Sequence, residues 1–222
     1  MRVVYLHGFA SSPQSSKARF FGGKFAEAGV AFEAPQLDQG EFPKLTISGQ
    51  MLVVGHAVSA HREKLAKGEP LVLMGSSLGG YLAALYAERH PKAVDRLILL
   101  APAFEFLKRW RTRLGAQEIE KWKREGSIPI YHYGSQTEQR LGYGFLEDAA
   151  QYEATPDFHQ RALILHGTED TVVPCEVSRD FALEHTRARL ALFPSGHELT
   201  DVLEGLWREA SGFLEISGPG VV

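Results

Sequence analysis

The chain has 222 residues, of which 44% are hydrophobic and 23% charged, and a formal net charge of −3. That is enough apolar chain for one sizeable core within a single domain, and the lack of a basic surplus argues against a nucleic-acid partner. A lone cysteine, Cys175, excludes an intrachain disulfide and points to a reducing compartment.

Residues 2–6 (RVVYL) form a continuous apolar run, as a strand buried on both faces should. They lead into His7-Gly8 without the longer apolar stretch and small-residue cleavage site of a signal peptide. No apolar run approaches the roughly 20 residues of a membrane-spanning helix. The expectation is a cytoplasmic chain with no membrane partner. A helix is predicted over 16–28, after Ser15 as N-cap. A weaker strand over 30–34 is stopped by Pro35. A helix over 49–67 carries Leu52, Val53, Ala57, Ala60 and Leu65. Strands follow at 71–75 and 96–101, separated by a helix over 78–90 that ends before Pro91. Later, strands at 162–166 and 189–193 alternate with helices at 176–186 and 200–215. This alternation predicts a mostly parallel sheet with helices on both faces. Residues 217–222 read as a frayed tail.

Residues 103–160 break the alternation and are too long for a simple crossover. They are rich in aromatics, with a charged amphipathic helix predicted over 116–125 and a hairpin over 128–145 turning near Gly134-Ser135. Long insertions beyond strand ends build pockets. The segment therefore reads as a cap, with Trp110, Trp122, Tyr131 and Tyr143 as candidate substrate contacts.

The strongest chemical signal is Gly75-Ser76-Ser77-Leu78-Gly79, set between an apolar strand and an amphipathic helix. A nucleophile on such a strained turn needs small flanking residues, and only Ser77 has glycine two residues before and two after. A serine hydroxyl needs a base within hydrogen-bond reach. His197, in Ser195-Gly196-His197, follows the last strand and precedes the last helix. The other histidines fall in helices, in the insertion or, for His166, at a strand end; His7 belongs to a separate loop. The base in turn needs an acid to hold its tautomer. Asp170 supplies it, with Glu169 as the rival one residue earlier. The backbone N–H groups of Leu78 and Phe9 are the expected oxyanion donors, with Gly8 allowing close approach and His7 orienting its loop. No His, Cys or carboxylate cluster has metal-ligand spacing, and Cys175 reads as a small packed residue.

With Leu6-His7-Gly8-Phe9, Gly75-Ser76-Ser77-Leu78-Gly79-Gly80-Tyr81, His166-Gly167-Thr168-Glu169-Asp170 and Ser195-Gly196-His197 in place, the chain resembles the α/β-hydrolase superfamily over nearly its whole length. Residues 5–18 together with 75–81 are similar to the small bacterial YqiA/YcfP-type esterases. This chain departs from them in its longer, more aromatic insertion. The resemblance implies cofactor-free hydrolysis of carboxylic esters or thioesters. It also implies a six-stranded sheet in the order 2-1-3-4-5-6, the two N-terminal strands of the superfamily being absent. Small-molecule esters of short to medium acyl length are the expected substrates. The alternatives are an acyl thioesterase with the same three residues and a non-catalytic binding protein on the same scaffold.

Overall fold

The computed structural model describes residues 1–216; the tail at 217–222 lies outside them. Strand β1 (Arg2–Leu6) leads through the loop at 7–15 into α1 (Ser16–Glu27), whose first turn is capped by Ser15 accepting from the Ala18 N–H. The short β2 (Ala31–Glu33) is followed by α2 (Ile47–Arg62). That helix starts two residues before the predicted 49 because Thr46 Oγ1 caps the Gly49 N–H at 2.9 Å. It ends at Arg62, and Lys64 and Leu65 instead make three-residue turn bonds to His61 and Arg62. Then come β3 (Leu71–Ser76), α3 (Leu78–Arg89) and β4 (Arg96–Leu100).

The insertion holds α4 (Phe106–Glu125), the hairpin strands β5 (Ser127–His132) and β6 (Thr137–Gly142), and α5 (Gly144–Ala149). The predicted hairpin is present but ends at Gly142, and α5 takes the residues after it. Helix α4 begins ten residues before the predicted 116, with a break at Gly115 (φ 75°, ψ 162°). Charged residues at Lys108, Arg109, Arg111 and Arg113 hide its first half from an apolar-periodicity search. The chain closes with β7 (Arg161–Gly167), α6 (Cys175–Glu184), β8 (Ala188–Phe193) and α7 (Leu203–Leu214).

The main sheet has six strands, every neighbouring pair parallel, in the order β2-β1-β3-β4-β7-β8. Counted along the whole chain this is 2-1-3-4-7-8 rather than 2-1-3-4-5-6; its six strands are those expected at 2–6, 30–34, 71–75, 96–101, 162–166 and 189–193. The fifth and sixth strands in chain order pair only with each other, as a separate antiparallel ribbon, and the two strands after them complete the sheet.

Alternate side chains of the central strands enter two cores. Val4, Leu6, Leu71, Leu73, Leu97, Leu99 and Ile164 pack with α2, α3, α6 and the insertion. Val3, Tyr5, Val72, Met74, Ile98, Leu100, Leu163 and Leu165 pack with α1 and α7. Both faces are dry, which is why these strands read as unbroken apolar runs. Each such side chain contributes about 1.5–3 kcal/mol by its burial.

The insertion is tied to the body by polar contacts. Asp148 accepts from the Ser48 N–H (2.8 Å) and the Ser48 hydroxyl (2.5 Å) on α2. The Tyr81 hydroxyl on α3 donates to the Glu153 carbonyl (2.7 Å), and the Tyr133 N–H donates to the Ala10 carbonyl (2.7 Å) in the loop after β1.

Candidate active site

Ser77 sits between β3 and α3 with φ 53° and ψ −116°. That left-handed conformation is strained for a residue with a side chain and persists only where the surroundings enforce it. Here they do. The Ser77 N–H donates to the Leu100 carbonyl at 2.8 Å, and the Ser77 carbonyl accepts from Tyr81 and Ala103. The glycines around it are required by close approach. A Cβ on Gly75 would lie 2.2 Å from the Gly79 carbonyl oxygen, and one on Gly79 would lie 2.1 Å from the Leu6 carbonyl oxygen. The turn therefore seats the start of α3 directly on the end of β1. Ser76 is buried at the end of β3, whereas Ser77 is partly exposed.

His197 lies between β8 and α7. Its Nε2 is 2.9 Å from Ser77 Oγ and its Nδ1 is 2.7 Å from Asp170 Oδ2. The carboxylate can only accept, so Nδ1 carries the proton and Nε2 is free to accept from the serine hydroxyl. Asp170 is buried in the loop after β7, while Glu169 is exposed. Asp170 Oδ1 accepts from the Val172 and Val173 N–H groups at 2.8 Å each. Oδ2 accepts from His197 and, at 3.1 Å, from His166 Nε2. Burial pushes the carboxyl pKa up, but hydrogen bonds from His166, His197 and the Val173 N–H together outweigh it and hold the group well below the usual carboxylate range.

Sequence reasoning missed two supports of this site. His166 is wholly buried, accepts from or donates to Ser178 Oγ at 2.7 Å, and bonds the same Asp170 oxygen, Oδ2, as His197 does. Its only signal was the four-residue spacing to Asp170. Lys17 on α1 donates to the Glu198 carbonyl at 2.6 Å and pairs with the Glu198 carboxylate at 3.3 Å, pinning the residue after His197. Burial lowers the Lys17 pKa, and its pairing with Glu198 opposes that.

The loop after β1 borders the serine, since a Cβ on Gly8 would lie 3.6 Å from Ser77 Cβ. His7 accepts from the Leu37 N–H through Nε2 (3.3 Å), so its Nδ1 donates to the Gly8 carbonyl (3.0 Å) and braces the loop. Burial lowers its pKa and favours this neutral form. The Leu78 N–H belongs to the first turn of α3, which lacks helical acceptors. The Phe9 N–H has no hydrogen-bond partner among the described residues.

A cavity of about 450 Å³ opens above Ser77, lined by Phe9, Leu78, Phe106, Arg109, Trp110, Arg113, Phe145 and the segment 171–174. A larger groove, about 780 Å³, lies on α7 and the starts of β7 and β8 and contains none of these residues. Of the four aromatics expected at the substrate wall, only Trp110 lines the cavity. Trp122 is 0% exposed and donates through Nε1 to the Leu141 carbonyl, forming the insertion's own core. Tyr143 packs edge-on against Trp122, and Tyr131 is 52% exposed against Tyr133 on the outer hairpin. These three positions are corrected accordingly: an internal core and an outward strand face claimed them. Among the described residues no group of three or more His, Cys, Asp or Glu is placed to hold a metal ion, and no helix is long and apolar enough to cross a membrane.

The backbone belongs to the α/β-hydrolase class of folds. It is similar to mouse alpha/beta hydrolase domain-containing protein 10 (TM-score 0.77, 20% identity, 96% of this chain and 89% of that one). It is also similar to Est1E from Butyrivibrio proteoclasticus with bound ferulic acid (TM-score 0.80, 21% identity, 97% and 88%). A structure reported for the metagenome-derived lipolytic enzymes LipS and LipT gives a TM-score of 0.73 at 21% identity, over 96% and 93%. By sequence, the chain belongs to the uncharacterised protein family UPF0227, whose profile matches residues 2–213. This agrees with the resemblance to YqiA/YcfP-type esterases. No curated protein matches the chain in sequence.

Proposed function

We propose that the protein is a serine hydrolase of carboxylic esters with short to medium acyl chains, with Ser77, His197 and Asp170 as its catalytic triad. The observation that carries the reading is the unbroken hydrogen-bond line from Ser77 Oγ to His197 Nε2 (2.9 Å) and from His197 Nδ1 to Asp170 Oδ2 (2.7 Å), at the foot of a cavity. Ser77 Oγ attacks the ester carbonyl while His197 takes its proton, and Asp170 stabilises the resulting imidazolium. The N–H groups of Leu78 and Phe9 receive the oxyanion, helped by the N-terminus of α3. Collapse expels the alcohol, which takes its proton from His197. Water activated by the same histidine then releases the acid from the acyl-enzyme. Residues 103–160 act as a cap whose Phe106, Trp110 and Phe145 supply the apolar wall. The similar structures, Est1E with bound ferulic acid and the lipolytic enzymes LipS and LipT, agree with this class.

The test is fluorophosphonate labelling with peptide mapping, beside turnover of a p-nitrophenyl ester series. The label is expected on Ser77. Ser77→Ala abolishes turnover without unfolding the chain, and Ser76→Ala retains it. A label on Ser76, or near wild-type kcat in Ser77→Ala, overturns the assignment; a folded protein that turns over no ester supports a binding role instead.

A further inference from the structure

The cavity wall contains charge that the proposed reaction does not use. Along the first half of α4, Phe106, Arg109, Trp110 and Arg113 recur at the spacing of one helical face, and all four line the cavity with Ser77. On such a face apolar residues are expected throughout; here two arginines one turn apart take their places. Both terminal nitrogens of Arg109 are buried and have no hydrogen-bond partner among the described residues. Arg113 is exposed at the mouth.

The nearby carboxylates do not neutralise Arg109. Glu105 and Asp170 are the acidic groups that act on it, and burial lowers its pKa against their pull. Glu105 is bound by Lys108 at 3.3 Å. Asp170 already accepts four bonds, from His197, His166, Val172 and Val173. No Asp or Glu lines the cavity. A buried guanidinium without partners is costly, and a second cation four residues away adds repulsion. Both costs are relieved by one event, the arrival of an anion in the cavity. Guanidinium is also the side chain whose donor fork matches carboxylate and phosphate oxygens.

We propose that this site selects esters that carry an anionic group, a carboxylate or a phosphate, bound by Arg109 inside the cavity and drawn in by Arg113 at its mouth. The choice of an ester rests on the serine-hydrolase reading above, whereas the anion site itself does not. The aromatic residues Phe106, Trp110 and Phe145 then hold the apolar body of the substrate, and the arginines fix which end faces Ser77.

The experiment uses matched pairs in which a carboxylate is replaced by its methyl ester, with rates counted per acetyl ester in the first pair and per methyl ester in the second: 3-acetoxybenzoate against its methyl ester, and monomethyl adipate against dimethyl adipate, which place the anion on the alcohol and the acyl side respectively. 3-Acetoxyphenyl phosphate separates phosphate from carboxylate. In at least one pair, kcat/KM for the anionic member is expected to exceed the neutral one by about 10-fold or more. Arg109→Met is expected to lower that ratio by about 10- to 100-fold, the worth of a charge-assisted hydrogen bond. Arg109→Lys, which keeps the charge and loses the fork, is expected to fall between, and Arg113→Gln to have a smaller effect that salt abolishes.

In parallel, the full-length Ser77→Ala protein is titrated calorimetrically with the same compounds, so that binding is read without turnover. Binding of the anionic members alone supports the site even if no ester is hydrolysed, in which case only the hydrolase reading falls. Equal rates within both pairs, with equal or no binding of the anionic and neutral members by Ser77→Ala, overturn the proposal while leaving esterase activity intact. If Arg109→Met does not fold, the wild-type ratios and the Arg109→Lys ratio decide the matter.

Discussion

Replacing Asp170 by asparagine changes one atom and sets a donor against donors. The carboxylate accepts four hydrogen bonds, two on each oxygen. Asparagine has one acceptor oxygen. If that oxygen keeps the Val172 and Val173 N–H groups, the amide NH₂ faces His166 Nε2 and His197 Nδ1, which both carry protons. His166 Nε2 can remain, because the Val173 carbonyl also accepts from it at 2.9 Å. His197 has no such alternative and must move its proton to Nε2, against Ser77. The base is then lost although every heavy atom is in place. The expected fall in kcat is about 10³–10⁴-fold, or roughly 4–5.5 kcal/mol of barrier. Stability falls as well, because two hydrogen bonds to a charged acceptor are each worth about 1.5–3 kcal/mol. The tautomer shift recovers one of them, leaving a loss of roughly 1.5–3 kcal/mol. Steady-state turnover of p-nitrophenyl acetate gives the first quantity and urea unfolding the second. Glu169→Gln is the control, since Glu169 is exposed. A folded Asp170→Asn variant within tenfold of wild-type kcat, or a Glu169→Gln variant that is the crippled one, refutes this reasoning.

Three further outcomes are expected. Asp170, held below its unfolded pKa of about 3.9, contributes stability that is present above that value and lost as pH falls through the folded one, which an acid titration of unfolding reads. Gly79→Ala puts a Cβ 2.1 Å from a backbone oxygen and is expected to block folding or soluble expression, whereas Gly23→Ala, exposed in α1 with nothing within 4 Å, is expected to stabilise by up to ~1 kcal/mol in thermal unfolding. Trp110→Ala is expected to shift the acyl-length profile and Tyr131→Ala to leave it unchanged, while Trp122→Ala costs ~3–5 kcal/mol of stability.

The strands and the serine elbow were legible because their causes are local. A strand buried on both faces must be apolar at every position, as 3–6 and 71–74 are, and a strained turn packed on a neighbouring strand must carry glycines at fixed offsets from Ser77. Asp170 over Glu169 followed from loop register alone. What the sequence could not give is anything decided by which distant segments meet. His166 reads as a strand-end residue until the loop at 168–174 folds back over it. Lys17 reads as a surface lysine until α1 meets the loop at 198. Ten aromatics in the insertion are equivalent in sequence, and only packing sorts them into the buried Trp122, the outward Tyr131 and the cavity-facing Trp110. Arg109 is the sharpest case. A charged residue spoils the apolar periodicity that identifies a buried helical face, so the helix went unread over the turns that border Ser77. Only the tertiary structure places its guanidinium out of water and beside the serine.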